Sequence, residues 1–296
     1  MTGKRATIKK INFNEVGIGP IGFDHSRIED VLEKRRLVMI EPHRHDYYEI
    51  LWFTNCSGVH FVDFAAYDFT PNTLFFIAKN QIHMFEENDF KGHLLRFDEH
   101  FIHRCPESCV GFLEYLVYSS RTCPLRVIPP MELSYFNAIM DMLIEESLDP
   151  SKDHCEEMVA TLLKALLLRS ERLGPDTVAT TVAKRFGRKI FFKFVACIEE
   201  NYRRHLKVKD YAETLNIGTK RLTEICNLVS GSSAKKIIQE RVILEAKRYL
   251  YHSELSIKEI CYLLGFEDPA HFSKYFHKAT SMYPLAFRKS MSEIYK

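Results

Sequence analysis

An echo inside the last third of the chain constrains the fold more than any other feature. The stretch LKVKDYAETLNIGTKRLTEICNLVSG begins at Leu206, and LSIKEICYLLGFEDPAHFSKYFHKATS begins at Leu255. Laid over each other, Val208 meets Ile257, Ala212 meets Cys261 and Leu215 meets Leu264. The second copy then takes one extra residue, after which Leu222 meets Phe272 and Cys226 meets Phe276. Apolar residues recurring at three- and four-residue intervals predict helices. Each copy reads as a short helix, a tight turn and a second helix. A period of about 50 residues that occurs only twice marks a duplicated module rather than a solenoid. Between the copies, SSAKKIIQERVILEAKRYLYHS carries Ile238, Val242, Leu244, Ala246, Tyr249 and Leu250. It predicts one long helix that holds the two modules at a fixed separation.

The first 128 residues have another texture. Short apolar-aromatic runs (YEILWFTN, GVHFVDF, TLFFIA, HLLRF) alternate with turn-prone SG, TPN, KNQ and NDFKG. That spacing predicts strands of a sandwich or barrel. After Pro129-Pro130 two helical segments follow, broken at Asp149-Pro150-Ser151. In the second, Met158, Val159, Leu162, Leu163, Leu166 and Leu167 form an apolar stripe that suits either the barrel or a second copy of the chain. Gly174-Pro175-Asp176 ends it, and 174–188 reads as a linker. The expected organisation is therefore α+β: a strand-rich domain over 1–128, a helical hairpin and linker over 129–188, and an all-helical domain over 189–296.

Charge follows the same division. Residues 189–296 hold 19 Lys+Arg and 12 Asp+Glu, a net +7, while residues 1–188 hold 22 and 27, a net −5. A basic third on an acidic body suggests a polyanionic partner. No run approaches the roughly 18 apolar residues that span a bilayer, and MTGKRATIKKINFNE has no long apolar segment, so no membrane and a cytoplasmic location are expected. The eight cysteines form no CxxC; the closest pair, Cys105 and Cys109, has no second pair to complete a zinc knuckle. They read as reduced thiols.

One short stretch points elsewhere. In EPHRHDYYEIL, His43, His45 and Glu49 share odd parity, so one extended strand would aim all three at one face. Two imidazoles and a carboxylate on one face are the start of a metal site. Tyr47 and Phe53 share that parity.

The second copy contains Gly265-Phe266, then Phe272-Ser273-Lys274-Tyr275-Phe276-His277-Lys278 and Tyr283-Pro284-Leu285-Ala286-Phe287-Arg288. This text resembles the signature of AraC/XylS-type transcriptional regulators, which close a double helix-turn-helix domain with such motifs. Ser281 stands where the family usually has Gly, and Lys274 where Arg is common. Upstream, His43-x-His45-x-x-x-Glu49 and a second motif ending at His83 resemble the cupin-like sensor barrel that many members carry. There the first motif's leading Gly is Leu37, and the second motif's Pro-x-Gly is Pro71-Asn72-Thr73.

The resemblance implies double-stranded DNA, RNA polymerase and a small-molecule effector as partners, a homodimer, and no enzymatic activity. Base-edge contacts are expected from Lys220, Thr223 and Glu224 in one groove and from Ala270, His271 and Lys274 in the next, flanked by Arg221 and Ser273. Lys can donate to guanine, Glu224 can accept from cytosine, and the Ala270 or Thr223 methyl can touch thymine. Leu222, Ile225, Val229, Phe272, Phe276 and Ala279 are expected to face inward, and Glu224 can also position Lys220 as an i,i+4 pair. Arg221, Lys235, Lys236 and Arg288 are phosphate candidates. His43, His45, Tyr47, Glu49, Phe53 and His83 are the effector-pocket candidates. No cofactor is expected. His43, His45, Glu49 and His83 are weak metal candidates, and a metal-free lining is expected because both motif glycines, which allow tight strand ends, are replaced. The alternative is a metal-dependent cupin enzyme or metal sensor fused to a DNA-binding domain.

Overall fold

The computed structural model describes residues 9–16, 19, 21–86, 88–98, 101, 124–173 and 182–294. The chain divides into two compact units, Ile8–Ala179 and Thr180–Lys296. Cys105 and Cys109 lie outside the described residues. No described helix is long and apolar enough to cross a membrane.

The first unit is a cupin-like pair of sheets. One sheet runs β1 (Lys9–Ile11), β3 (His43–His45), β8 (Ile82–Phe85), β5 (Gly58–Val62), β6 (Ala65–Phe69). The other runs β10 (Leu125–Val127), β7 (Thr73–Ile77), β4 (Tyr48–Phe53), β9 (Gly92–Phe97), β2 (Phe23–Arg27). Only the β1–β3 pairing is parallel among the described strands. Val62, Phe69 and Phe85 of the first sheet pack against Leu51, Phe53, Phe75, Ile77 and Leu94 of the second. Each such side chain contributes roughly 1.5–3 kcal/mol on burial. Strand β4 is buried on both faces because Trp52, on its outer side, meets Phe136 edge-on at 6.1 Å. That is why YEILWF reads as a continuous apolar run rather than an alternating one.

Two expectations for this unit need correction. A helix not anticipated in the strand-rich region, α1 (Ile28–Ile40), stands there, and Ile28, Leu32 and Met39 join the core. Its charged text hid a helical period at Ile28 and Leu32, four residues apart. The second correction concerns EPHRHDYYEIL. The chain turns at Asp46-Tyr47, so His43 and His45 lie on one sheet and Glu49 on the other.

Helices α2 (Leu133–Ser147) and α3 (Cys155–Arg172) form an antiparallel hairpin in the same unit: Cys155 Sγ donates to the Glu146 carbonyl, and Arg169 Nε donates to Glu132 Oε2 at 2.9 Å. The apolar stripe of α3 packs within its own unit, with Leu163, Leu166 and Leu167 at most 1% exposed.

The second unit is all helical: α4 (Val182–Asn201), α5 (Val208–Thr214), α6 (Thr219–Ser230), α7 (Ala234–His252), α8 (Ile257–Leu263), α9 (Pro269–Thr280) and α10 (Pro284–Ile294). Helix α4 starts at Val182, so 182–188 is helix rather than linker; 174–181 lie outside the described residues. The echoed pairs Ala212/Cys261, Leu222/Phe272 and Cys226/Phe276 are all buried. Ile225 and Val229 also face inward, but Ala279 is exposed, and half-buried Tyr275 packs on Phe266 instead.

The two copies share the device that ends their first helix. Asn216 (φ +54) and Gly265 (φ +83) both take the left-handed conformation. Ile217 N then donates to Ala212 O, and Phe266 N to Cys261 O, satisfying carbonyls the helix leaves open. Only glycine fits at 265, because a Cβ there would lie 1.9 Å from Arg203 O.

Candidate nucleic-acid interface and sensor site

Helices α6 and α9 are the second helices of the two modules, and each shows one polar face. Lys220, Arg221 and Glu224 are exposed on α6, while Thr223 is half-buried. Glu224 pairs with Arg221 Nη1 at 3.5 Å, in place of the expected pairing with Lys220. On α9, Ala270, His271 and Lys274 are exposed, and half-buried Ser273 donates its hydroxyl to Pro269 O at 2.8 Å. Asp268 caps α9 by accepting from Ala270 N and His271 N, and those two N–H groups hold its carboxyl below the usual carboxylate range. Lys235 and Lys236 are exposed in the first turn of α7, where Ser233 is the cap and Lys236 reaches Glu240 at 3.8 Å.

Arg288 is placed differently from the other phosphate candidates. Its Nε donates to Leu250 O at 2.9 Å and its Nη2 to Leu255 O at 2.7 Å, so it fastens the end of α7 to α10. Sequence reasoning also missed a buried ion network on α7. Arg241 reaches Glu199 of α4 at 2.6 Å and Glu245 at 2.9 Å, and Arg248 reaches Glu245 at 3.4 Å. Burial works to raise the Glu245 carboxyl, but Arg241 and Arg248 outweigh it and hold it down. The signal was the spacing of Arg241, Glu245 and Arg248 on one helical face.

Inside the first unit, the expected histidines and Glu49 do come together. His45 Nε2 lies 3.3 Å and His83 Nε2 3.7 Å from Glu49 Oε2, with all three residues buried. His43 stands directly opposite His83 in the β3–β8 register, their rings 4.2 Å apart. His45 Nδ1 lies 2.7 Å from Tyr47 O, and His43 Nδ1 2.9 Å from Glu41 O. A carbonyl only accepts, so both histidines carry their proton on Nδ1. His60 was not anticipated: on β5 it points inward, and its Nε2 lies 3.1 Å from His83 Nδ1.

Burial pushes the His43 imidazole down to about 4 and those of His60 and His83 well below their ordinary value. Burial works to raise the Glu49 carboxyl, yet His45, His43 and Arg96 beside it hold it in the opposite direction. Arg96, opposite Glu49 in the β4–β9 register, donates to Asp24 and Ser26. Phe53 is a core residue, packed among Phe69, Phe75, Phe85 and Phe90.

A family model described as an AraC-like ligand binding domain matches residues 32–167, and one described as a helix-turn-helix domain matches 211–290. The chain belongs to the AraC family of transcriptional regulators. Among its relatives, the HTH-type transcriptional activator RhaS of Salmonella schwarzengrund is 21% identical over 280 residues, covering 85% of this chain and 88% of that protein. RhaS of Yersinia pestis (strain Pestoides F) is 24% identical over 260 residues, covering 84% and 89%. ToxT of Vibrio cholerae, a solved structure, is 12% identical and aligns over 90% of this chain and 98% of its own, with a TM-score of 0.41.

The departures from the AraC-family text now have a local account. Ser281 takes the left-handed conformation (φ +59) that ends α9, as Gly231 (φ +65) ends α6. Without glycine that conformation costs roughly 1–2 kcal/mol. In the barrel, Leu37 falls within α1, so no strand end needs glycine there. At the second motif Asn72 (φ +63) makes the tight turn into β7, a conformation asparagine tolerates. Asn80 (φ +61) makes another before β8, and its N–H donates to His45 O at 2.7 Å, joining the two motifs.

Proposed function

We propose that this AraC-family regulator reads duplex DNA with the N-terminal halves of α6 and α9, and that a small molecule meeting the barrel's polar cluster sets its activity. The observation that carries the first part is the duplicated module with matched caps, which exposes Lys220, Arg221 and Glu224 on one helix and Ala270, His271 and Lys274 on the other. Thr223 and Ser273 flank those contacts, and Lys235 and Lys236 meet phosphates. Arg288 acts through the fold, by holding α7 to α10. The effector meets His43, His45, Tyr47, Glu49 and His83, while Phe53 supports the wall. Its binding shifts the regulator between two arrangements for which it has different affinity.

The protein acts in the cytoplasm as a homodimer with RNA polymerase as partner, and its barrel senses rather than catalyses. The dimer face is the outer side of the hairpin, where Met158 and Leu168 are 47% and 43% exposed. Functionally the chain divides into sensor (to residue 128), connector and DNA reader, the reader beginning with α4 at Val182.

A binding titration of the full chain against duplex DNA at several salt concentrations is the test. With six or more phosphate contacts, affinity falls about 1,000-fold or more between 50 and 200 mM salt. A binding constant indifferent to salt, or a preference for single strands, overturns the reading.

A further inference from the structure

We propose that the barrel holds one divalent first-row transition-metal ion, ligated by His45 Nε2, His83 Nε2 and the Glu49 carboxylate, with His60 orienting His83 and with His43 outside the ligand set. This departs from the metal-free lining expected of the sequence, and it deepens the effector reading, on whose polar cluster it rests.

Four observations support it. Glu49 Oε2 lies 3.3 Å from His45 Nε2 and 3.7 Å from His83 Nε2, and all three ligand atoms lie within 4.8 Å of one another, so shifts of a few tenths of an ångström bring each to about 2.0–2.2 Å from one ion. Both Nε2 atoms are buried and make no hydrogen bond, facing the Glu49 carboxylate at 3.3 and 3.7 Å, while each ring's hydrogen bond runs through Nδ1. A buried nitrogen that makes no hydrogen bond is costly, and an ion in the middle of the cluster satisfies both at once. The protonation pattern fits as well. The Tyr47 carbonyl holds the His45 proton on Nδ1 and leaves Nε2 as a lone pair. His60 Nε2 can likewise accept from His83 Nδ1, which frees the His83 Nε2 lone pair. Metal-bound histidines typically donate their other nitrogen in this way, and the partner fixes the tautomer.

The donor set decides the class of ion. Two imidazoles and one carboxylate suit Fe²⁺, Mn²⁺, Co²⁺ or Zn²⁺ rather than Mg²⁺ or Ca²⁺, which favour oxygen ligands. Three protein ligands leave coordination positions open, so an oxygen of the effector can complete the shell. The two substituted glycines do not oppose this, because Asn72 and Asn80 make the tight turns and Asn80 ties β3 to the approach of β8. His43 packs its ring on His83 without joining the three converging atoms.

The test uses the full chain, stripped with a chelator and titrated with Co²⁺ by visible absorption and with Zn²⁺ by calorimetry. One ion per chain is expected. Glu49→Gln and His83→Ala should each weaken binding by 100-fold or more. His60→Phe should weaken it about 10–100-fold, as loss of an outer-shell partner does, and His43→Asn should change it less than about threefold. Circular dichroism confirms that each variant is folded; if His83→Ala is not, the near-isosteric Glu49→Gln decides. Absence of a stoichiometric ion, or equal binding by Glu49→Gln and the parent, overturns the proposal. His43→Asn weakening binding as much as His83→Ala overturns the three-ligand assignment. DNA titrations with and without Zn²⁺ separate the two readings: tight binding of the ion with no change in DNA affinity leaves the metal site standing and removes its regulatory role.

Discussion

The two units of this chain present function in opposite ways. The DNA reader shows polar residues on an exposed helix face, and its core is made of echoed apolar pairs. The sensor hides its chemistry: His45, Glu49, His60 and His83 are all buried. On an exposed helix, sequence spacing alone says which residues share a face. In a two-sheet barrel the functional set is assembled from β3, β4, β5 and β8, and only strand pairing says which residues meet. An exposed polar face also costs little stability and tolerates change, whereas a buried polar cluster must satisfy every member or leave its atoms unpaired.

The largest expected effect sharpens that contrast within the hairpin. Leu166 is fully buried, so Leu166→Glu should destabilise the sensor unit by about 3 kcal/mol or more, through a charge placed in a packed core. Met158→Glu, on the exposed side, should leave the melting temperature nearly unchanged and weaken the dimer. Thermal melts and sedimentation of both variants check this; a stable Leu166→Glu protein would mean that the stripe is not core.

Gly265→Ala should cost at least about 2 kcal/mol, because it adds a left-handed penalty to a collision with Arg203 O. Ser281→Gly should go the other way and gain at most about 1 kcal/mol, since it relieves a similar penalty while freeing the unfolded chain. Chemical denaturation of the two variants measures both. Equal effects would show that the left-handed positions after α8 and α9 are interchangeable.

At the DNA face, Lys274→Ala should cost about 1–3 kcal/mol and relax preference at one base position. Lys235→Ala should weaken all sequences alike. Titration against single-base operator variants separates them, and an unchanged preference profile for Lys274→Ala would make Lys274 a phosphate contact.

The smallest effect is a pH response of the sensor away from its polar cluster. Burial first, then Arg27, pull the His93 imidazole down to about 4. The unfolded chain therefore binds this proton below about 6.5 while the folded chain does not. His93's contribution is fully present above that pH and is lost as pH falls toward 4. The melting temperature should drop across that window, and His93→Gln should flatten the drop; identical slopes would refute the assignment.

The helical third was legible in the sequence because its information is local. Helix period, caps and turns are set by residues within a few positions of each other, so the echo, the inward Leu222 and Phe272 and the polar faces could be read directly. The error at Ala279 came at a helix end, where Tyr275 takes the inward role. The sensor's strands were legible too, but not their partners. EPHRHDYYEIL identified three of the polar residues while suggesting one strand, and the turn at Asp46-Tyr47 instead sets His45 and Glu49 on different sheets, 3.3 Å apart. His60 and Arg96 carried no pattern linking them to that stretch, because their neighbours there are supplied by β8 and β4. Residue types and helix faces were thus determined by the sequence alone. The convergence of four histidines and a glutamate was decided by the tertiary structure, because strand pairing brings together residues that no local periodicity relates.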